Sequence, residues 1–162
     1  MPKAQRIGVG RRSAGPWAIV KSYVEAEQAA RIGRQFLGGD RTIAFEDLGV
    51  YRVIARADRD AIEAFSHEYL AALDEYDARH SGELIGTLEG FFSCNGNHAR
   101  AAERLHLHRN TLLYRLERIE TLTGFDLADP ETRLSMQLAL KIRRVAPSLQ
   151  ASQPRNMGGP HP

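Results

Sequence analysis

Cysteine is almost absent from this sequence: of its 162 residues only Cys94 is one. A lone cysteine forms no internal disulfide and leaves no cysteine pair for a zinc ribbon. It suits a reducing compartment, so a cytoplasmic location is expected. No apolar run approaches the roughly 18 residues that a membrane span needs. The first residues, Met1-Pro2-Lys3-Ala4-Gln5-Arg6, lead into no apolar stretch, and no secretory signal is expected. Disulfide scaffolds, zinc ribbons and membrane proteins are thereby excluded, whereas cofactor enzymes are not. What is present is the composition of a globular chain, 43% hydrophobic and 26% charged. That is enough for one ordinary domain or two small ones.

The total net charge of +2 hides an uneven distribution. Counted from the sequence, residues 1–40 carry +4, residues 41–96 carry −6, residues 97–119 carry +3 and the remainder +1. A short basic segment behind an acidic one suggests a local anion-binding surface.

Along the chain, Ile7-Gly8-Val9-Gly10 is strand-like. Its Gly-x-Gly pair lacks the third glycine of a nucleotide fingerprint. A helix is predicted from Pro16 to about Leu37, with Trp17, Val20, Val24, Ala29, Ile32 and Phe36 as its apolar stripe and Gly38-Gly39-Asp40 as its stop. Thr42–Phe45 alternates as one short strand, and Leu48–Ala55 reads as a helical turn or two. Asp58 caps a predicted helix from Arg59 to Leu73, striped by Ile62, Phe65, Tyr69 and Leu73. The polar stretch Asp74–Gly82 is read as a break and the main domain boundary. Its acids Asp74, Glu75 and Asp77 are read as a solvated linker.

Beyond the break, Glu83–Ser93 carries Leu84, Leu88, Phe91 and Phe92 on one side, as core. Asn95-Gly96-Asn97 is a turn ending in a helix cap. His98–Leu105 and Arg109–Thr123 are predicted helices around a tight turn at His106-Leu107, with Ala101, Ala102, Leu105, Leu112, Leu116 and Ile119 inward. Asp129-Pro130 opens a last helix to about Val145, striped by Leu134, Leu138, Ile142 and Val145. The segment 147–162 is expected to be a disordered tail.

Two short helices split by a tight turn, the second one basic, are the elements of a helix-turn-helix. Small Ala101 and Ala102 allow close helix approach, and Leu107 plugs the turn. Helical phase then turns Arg109, Asn110, Leu113, Tyr114 and Arg118 outward, with Thr111 and Arg115 at the flank. Arg109, Asn110 and Thr111, at the start of the second helix, have the chemistry to read base edges in a major groove. Tyr114, Arg115 and Arg118 suit phosphates, as do Asn97, Arg100, Arg104 and His108 nearby. The plain alternative is a solvated basic face on an ordinary helical domain. His106 stands where such turns often carry glycine, because a positive φ is needed there.

Other clusters carry less. His98, His106 and His108 lack the acidic or cysteine ligand that would complete a metal site. Cys94 has no base beside it and reads as a small hydrophobe. No catalytic residue, metal or cofactor is expected.

The stretch from Gly96 to Ile119, with its block His106-x-His108-Arg109-Asn110-Thr111-Leu112-x-Tyr114-Arg115-Leu116, closely resembles the C-terminal helix-turn-helix of the PucR/CdaR family. These are bacterial transcriptional regulators of purine and sugar-diacid catabolism. Leu122–Leu127, Asp129–Leu134 and Gln137–Leu140 extend the resemblance. More weakly, Ser22–Ala26, Phe45–Tyr51 and Tyr76-Asp77 resemble the end of the family's degenerate GGDEF-like domain. Gly38-Gly39-Asp40 is followed by Arg41-Thr42 rather than by the acidic and aromatic pair of a cyclase signature, so cyclase activity is not expected.

The resemblance implies a mainly α protein, a helix-turn-helix bundle preceded by a small α/β, partial GGDEF-like segment. Its expected domains are 1–80 (GGDEF-like), 81–146 (helix-turn-helix) and 147–162 (tail). It implies a sequence-specific transcriptional regulator whose partner is double-stranded DNA, acting as a homodimer across two half-sites. The dimer contact is expected from the acidic region 41–96 or from the last helix. The effector-sensing domain is expected to be absent from this chain. Leu113 stands where relatives often carry arginine. The alternative is a truncated interaction module that pairs with a full-length regulator without specific DNA binding of its own.

Overall fold

The computed structural model describes residues 7–12, 15–37, 42–80 and 83–150. The fold is mainly helical, with one short pair of strands. Its elements are β1 (Gly8–Val9), α1 (Pro16–Ile32, continued by a π-helical turn Gly33–Leu37), β2 (Ile43–Ala44), α2 (Tyr51–Ile54), α3 (Arg59–His80), α4 (Leu84–Ser93), α5 (His98–Arg104), α6 (Arg109–Thr123) and α7 (Pro130–Gln150). Residue contacts divide the chain into two compact units. One comprises residues up to Arg59 with those from Arg144; the other is Asp60–Arg143. Among the described residues no helix is long and apolar enough to cross a membrane.

In the first unit β1 and β2 pair in parallel, with Gly8 opposite Ile43 and Val9 opposite Ala44. Parallel neighbours need a crossover, and α1 supplies it. A Cβ on Gly8 would lie 2.0 Å from the Ala26 carbonyl oxygen, and one on Gly10 would lie 1.9 Å from that of Ser22. The two glycines therefore let the strand press against the helix backbone. Glu25, buried on α1, accepts from both the backbone N–H and the guanidinium of Arg11 at 3.1 Å. Those bonds hold its pKa at about 2 against an ordinary 4.5, outweighing the opposing effect of burial. The segment after β2 is helical, as expected, with Leu48, Tyr51 and Ile54 buried.

Helix α1 departs from its expected stripe. Ala29, Ile32 and Phe36 are buried, but Trp17 is 88% exposed, and Val20 and Val24 are exposed beside Ile19 and Tyr23. The helix meets β1 along Ser22, Ala26 and Ala30. At 100° per residue, Trp17, Val20 and Val24 lie close to the opposite side. The expected stop at Gly38-Gly39-Asp40 lies outside the described residues.

In the second unit the expected break at Asp74–Gly82 is largely helix. Helix α3 continues past Leu73 to His80. The acids expected in a linker have structural partners instead. Asp74 accepts from the Arg143 guanidinium at 2.7 Å, and Glu75 pairs with Arg79 one turn on. Asp77 accepts from the backbone N–H groups of Leu84 at 2.9 Å and Ile85 at 3.0 Å. It thus satisfies two orphan donors at the start of α4, where the adjacent Glu83 side chain provides no cap. Leu70 and Leu73 of α3 share one core with Leu88, Leu112, Leu116 and Ile119.

Helix α7 starts as expected. Asp129 caps it by accepting from Thr132 N–H at 2.7 Å, which lowers the carboxyl pKa. Of its expected stripe Ile142 and Val145 are buried and Leu138 is half-buried, whereas Leu134 is 62% exposed; Met136, Ala139 and Leu140 are buried besides. Leu134 lies about 160° around the helix from Met136, which is buried in the core. The helix continues to Gln150, past Pro147, and the remainder of the expected tail lies outside the described residues.

Candidate nucleic-acid interface

The site is built from three short helices, α4, α5 and α6. Helix α4 ends in a turn with Asn95 and Gly96 at φ of 54° and 76°. The Asn97 side chain then caps α5 by accepting from Arg100 N–H at 3.0 Å. Ala101 and Ala102 are buried. A Cβ on Gly90 of α4 would lie 2.6 Å from Leu105 Cδ2, so both contacts depend on small residues. The chain leaves α5 through His106 at φ 54°, the left-handed conformation that the turn was expected to require. Leu107 then donates its backbone N–H to the Ala102 carbonyl at 2.9 Å and sits half-buried in the turn. His108 opens α6, its Nδ1 accepting from Asn110 N–H at 3.3 Å.

Helix α6 spans the predicted residues, Arg109–Thr123, and ends on Gly124 in the left-handed region. Leu112, Leu116 and Ile119 are buried. Arg109, Asn110 and Thr111 are exposed together on its first turn, and their side chains make no hydrogen bond or ion pair among the described residues. Asn97, Arg100, Arg104 and His108 are exposed on the neighbouring surface, and Tyr114 is 63% exposed. These exposed groups belong to α5, to α6 and to the residues that cap them.

Arg115 and Arg118 make contacts with neighbouring helices that helical phase does not predict. Arg115 Nη1 donates to Glu83 Oε2 at 3.1 Å and to Thr87 Oγ1 at 3.2 Å, tying α6 to the start of α4. Arg118 lies with its guanidinium 5.2 Å from the Tyr76 ring centroid, and its Nε is buried without a hydrogen-bond partner among the described residues. A long flexible stem lets each arginine reach back to a neighbouring helix rather than follow its Cβ direction. Sequence reasoning also missed Asp77 as the cap of α4. These partners lie 7 to 42 positions apart in the chain, and no local pattern announces them.

Phe91 and Phe92 are core, as read, with the Phe91 ring 5.2 Å from that of His98. Cys94 is half-buried at the end of α4. Among the described residues no three His, Cys, Asp or Glu side chains gather in a way that could hold a metal ion.

The family model described as the PucR C-terminal helix-turn-helix domain matches residues 84–142, which contain α4, α5, α6 and most of α7. The chain is 31% identical over 147 residues to the proline-responsive transcriptional activator PutR of Bacillus subtilis (strain 168), covering 89% of this chain and 36% of that protein. It is 34% identical over 139 residues to the carbohydrate diacid regulator of Escherichia coli (strain K12), covering 85% and 35%. With the purine catabolism regulatory protein of Bacillus subtilis it shares 36% identity over 84 residues, 52% of this chain and 16% of that one. The chain thus spans about a third, or less, of the length of these relatives.

Proposed function

We propose that this chain, whose residues 84–142 match the PucR C-terminal helix-turn-helix domain, is a sequence-specific DNA-binding transcriptional regulator that inserts α6 into the major groove. The observation that carries this is the exposed trio Arg109, Asn110 and Thr111 on the first turn of α6, beside a turn whose left-handed residue is His106. Arg109 is suited to the O6 and N7 of guanine, Asn110 to adenine, and Thr111 to either polar edges or a methyl group. Asn97, Arg100, Arg104, His108 and Tyr114 take phosphates and set the register. Arg115 and Arg118, expected to meet phosphates, are engaged with Thr87 of α4 and Tyr76 of α3 instead.

One such unit reads a half-site, so the working form is a homodimer on two half-sites. Residues 1–80 are assigned to the end of a GGDEF-like region, and the relatives named as regulators and an activator support a regulatory rather than an enzymatic role. A second reading, a pairing module without specific DNA binding of its own, draws on the exposed apolar residues of α1, where Trp17, Ile19 and Tyr23 face solvent.

Selection of bound sites from a random duplex pool, with variants in parallel, tests the assignment. Arg109→Ala is expected to lower affinity for the selected site by about 1–3 kcal/mol while leaving random DNA little changed. Arg104→Ala is expected to weaken all duplexes alike and to reduce the salt slope by about one. An equal loss on both kinds of DNA for Arg109→Ala removes its base-reading role. Binding with no enriched motif removes sequence specificity altogether.

A further inference from the structure

We infer that Leu113 reads the 5-methyl group of a thymine, and so sets a specificity position next to the bases taken by Arg109 and Asn110. The inference rests on the DNA-binding reading above. Leu113 is 38% exposed on α6, in a unit whose other large apolar side chains are mostly enclosed. Within Asp60–Arg143, the large hydrophobics in the exposed class are Leu113, Tyr114 and Leu134. Two of these three therefore lie side by side on the proposed recognition helix.

Spacing puts Leu113 four residues after Arg109 and three after Asn110, on the same outer ridge and one turn further along. Glu117, also exposed, continues that ridge. An aliphatic and an acidic side chain are both poor partners for phosphate, so this strip of α6 suits base edges rather than backbone. Tyr114 beside it keeps a hydroxyl for a phosphate oxygen; Leu113 has only methyl groups. On a major-groove floor the thymine methyl is the apolar feature that distinguishes one base pair from another. Placed over a guanine or cytosine edge instead, Leu113 would strip water from hydrogen-bonding groups and return nothing. Attraction to thymine and rejection of G·C thus come from one side chain.

The test uses the full chain and the site selected from the random pool, with each thymine of the half-site replaced singly by deoxyuridine, which deletes the methyl and leaves base pairing intact. Kd is read by fluorescence anisotropy. At one thymine per half-site the substitution is expected to weaken the unmodified protein about fourfold, the worth of roughly one buried methyl group. Leu113→Ala is expected to bind the thymine and deoxyuridine sites equally. Because Leu113 is partly exposed and alanine favours helix, this variant retains α6. If the protein binds its selected site with unchanged affinity at every deoxyuridine position, the assignment of Leu113 is overturned while the DNA-binding reading stands. If Leu113→Ala keeps the full deoxyuridine penalty, another residue holds the methyl and the assignment is likewise overturned. A pool that yields no motif overturns both.

Discussion

Helices α1 and α6 carry apolar residues at similar helical spacing, yet those residues end in opposite surroundings. On α6, Leu112, Leu116 and Ile119 are all buried. On α1, Trp17, Val20 and Val24 face solvent, and of its expected apolar stripe only the later Ala29 and Ile32 and, in the continuing turn, Phe36 are buried. Periodicity identifies an apolar side of a helix but not whether anything covers it. Helix α6 is mostly polar on its outer side, with Leu113 and Tyr114 as exceptions, and its Leu112–Leu116–Ile119 stripe is the side that is buried. Helix α1 is apolar on one side and small on the other, and the small side, Ser22, Ala26 and Ala30, is where the strand presses in. Small residues win that contact because only they allow backbone atoms to meet.

This contrast breaks first at the core. Leu112→Ala is expected to destabilise the protein by about 2–5 kcal/mol, whereas Val20→Ala should change stability by less than about 0.5 kcal/mol. Urea denaturation followed by circular dichroism measures both, and comparable losses would mean that the outer side of α1 is covered in solution. Next comes capping at a distance. Asp77→Ala removes both bonds to the start of α4 and is expected to cost about 0.5–2 kcal/mol; a neutral result would show that α4 starts without it.

The turn provides a smaller effect of opposite sign. His106 is exposed at φ 54°, so His106→Gly should raise stability by up to about 1 kcal/mol. A loss on thermal melting would mean that the imidazole has a structural contact of its own.

The last effect belongs to the first unit and appears only in acid. Glu25 has a pKa of about 2 when folded against 4.5 as its ordinary value. Its contribution is therefore complete above pH about 4.5 and is lost as pH falls towards 2, because the unfolded chain binds the proton first. Glu25→Gln should flatten the stability profile across that window, and an unchanged slope would remove Glu25 as its source.

Much of the second unit was legible from residues alone. Asn97 and Asp129 cap their helices as read, α6 has the predicted limits, and His106 takes the left-handed turn despite not being glycine. Each of these is a local matter, decided within one or two turns by backbone donors, small side chains or φ. The polar run at Asp74–Arg79 reads as a linker but is helix, because polarity looks alike in a linker and on the outer face of a long helix. Partners outside the run separate the two: Arg143 lies 69 residues beyond Asp74. Leu134 and Met136 differ in burial because only one of them meets the core, which lies on elements far away in sequence.

By itself, the sequence determined most of the helices, the caps Asn97 and Asp129, the turn between α5 and α6, and which residue types open α6. Those features follow from hydrogen-bond donors and steric limits within a few residues. Tertiary structure alone decided which arginines stay free. Arg109, Arg100 and Arg104 point into solvent, while Arg115 is tied to Glu83 and Thr87 and Arg118 lies against Tyr76. All five are equally basic in the sequence. A long cationic side chain takes whichever aromatic face or oxygen the packing of distant helices brings within its reach.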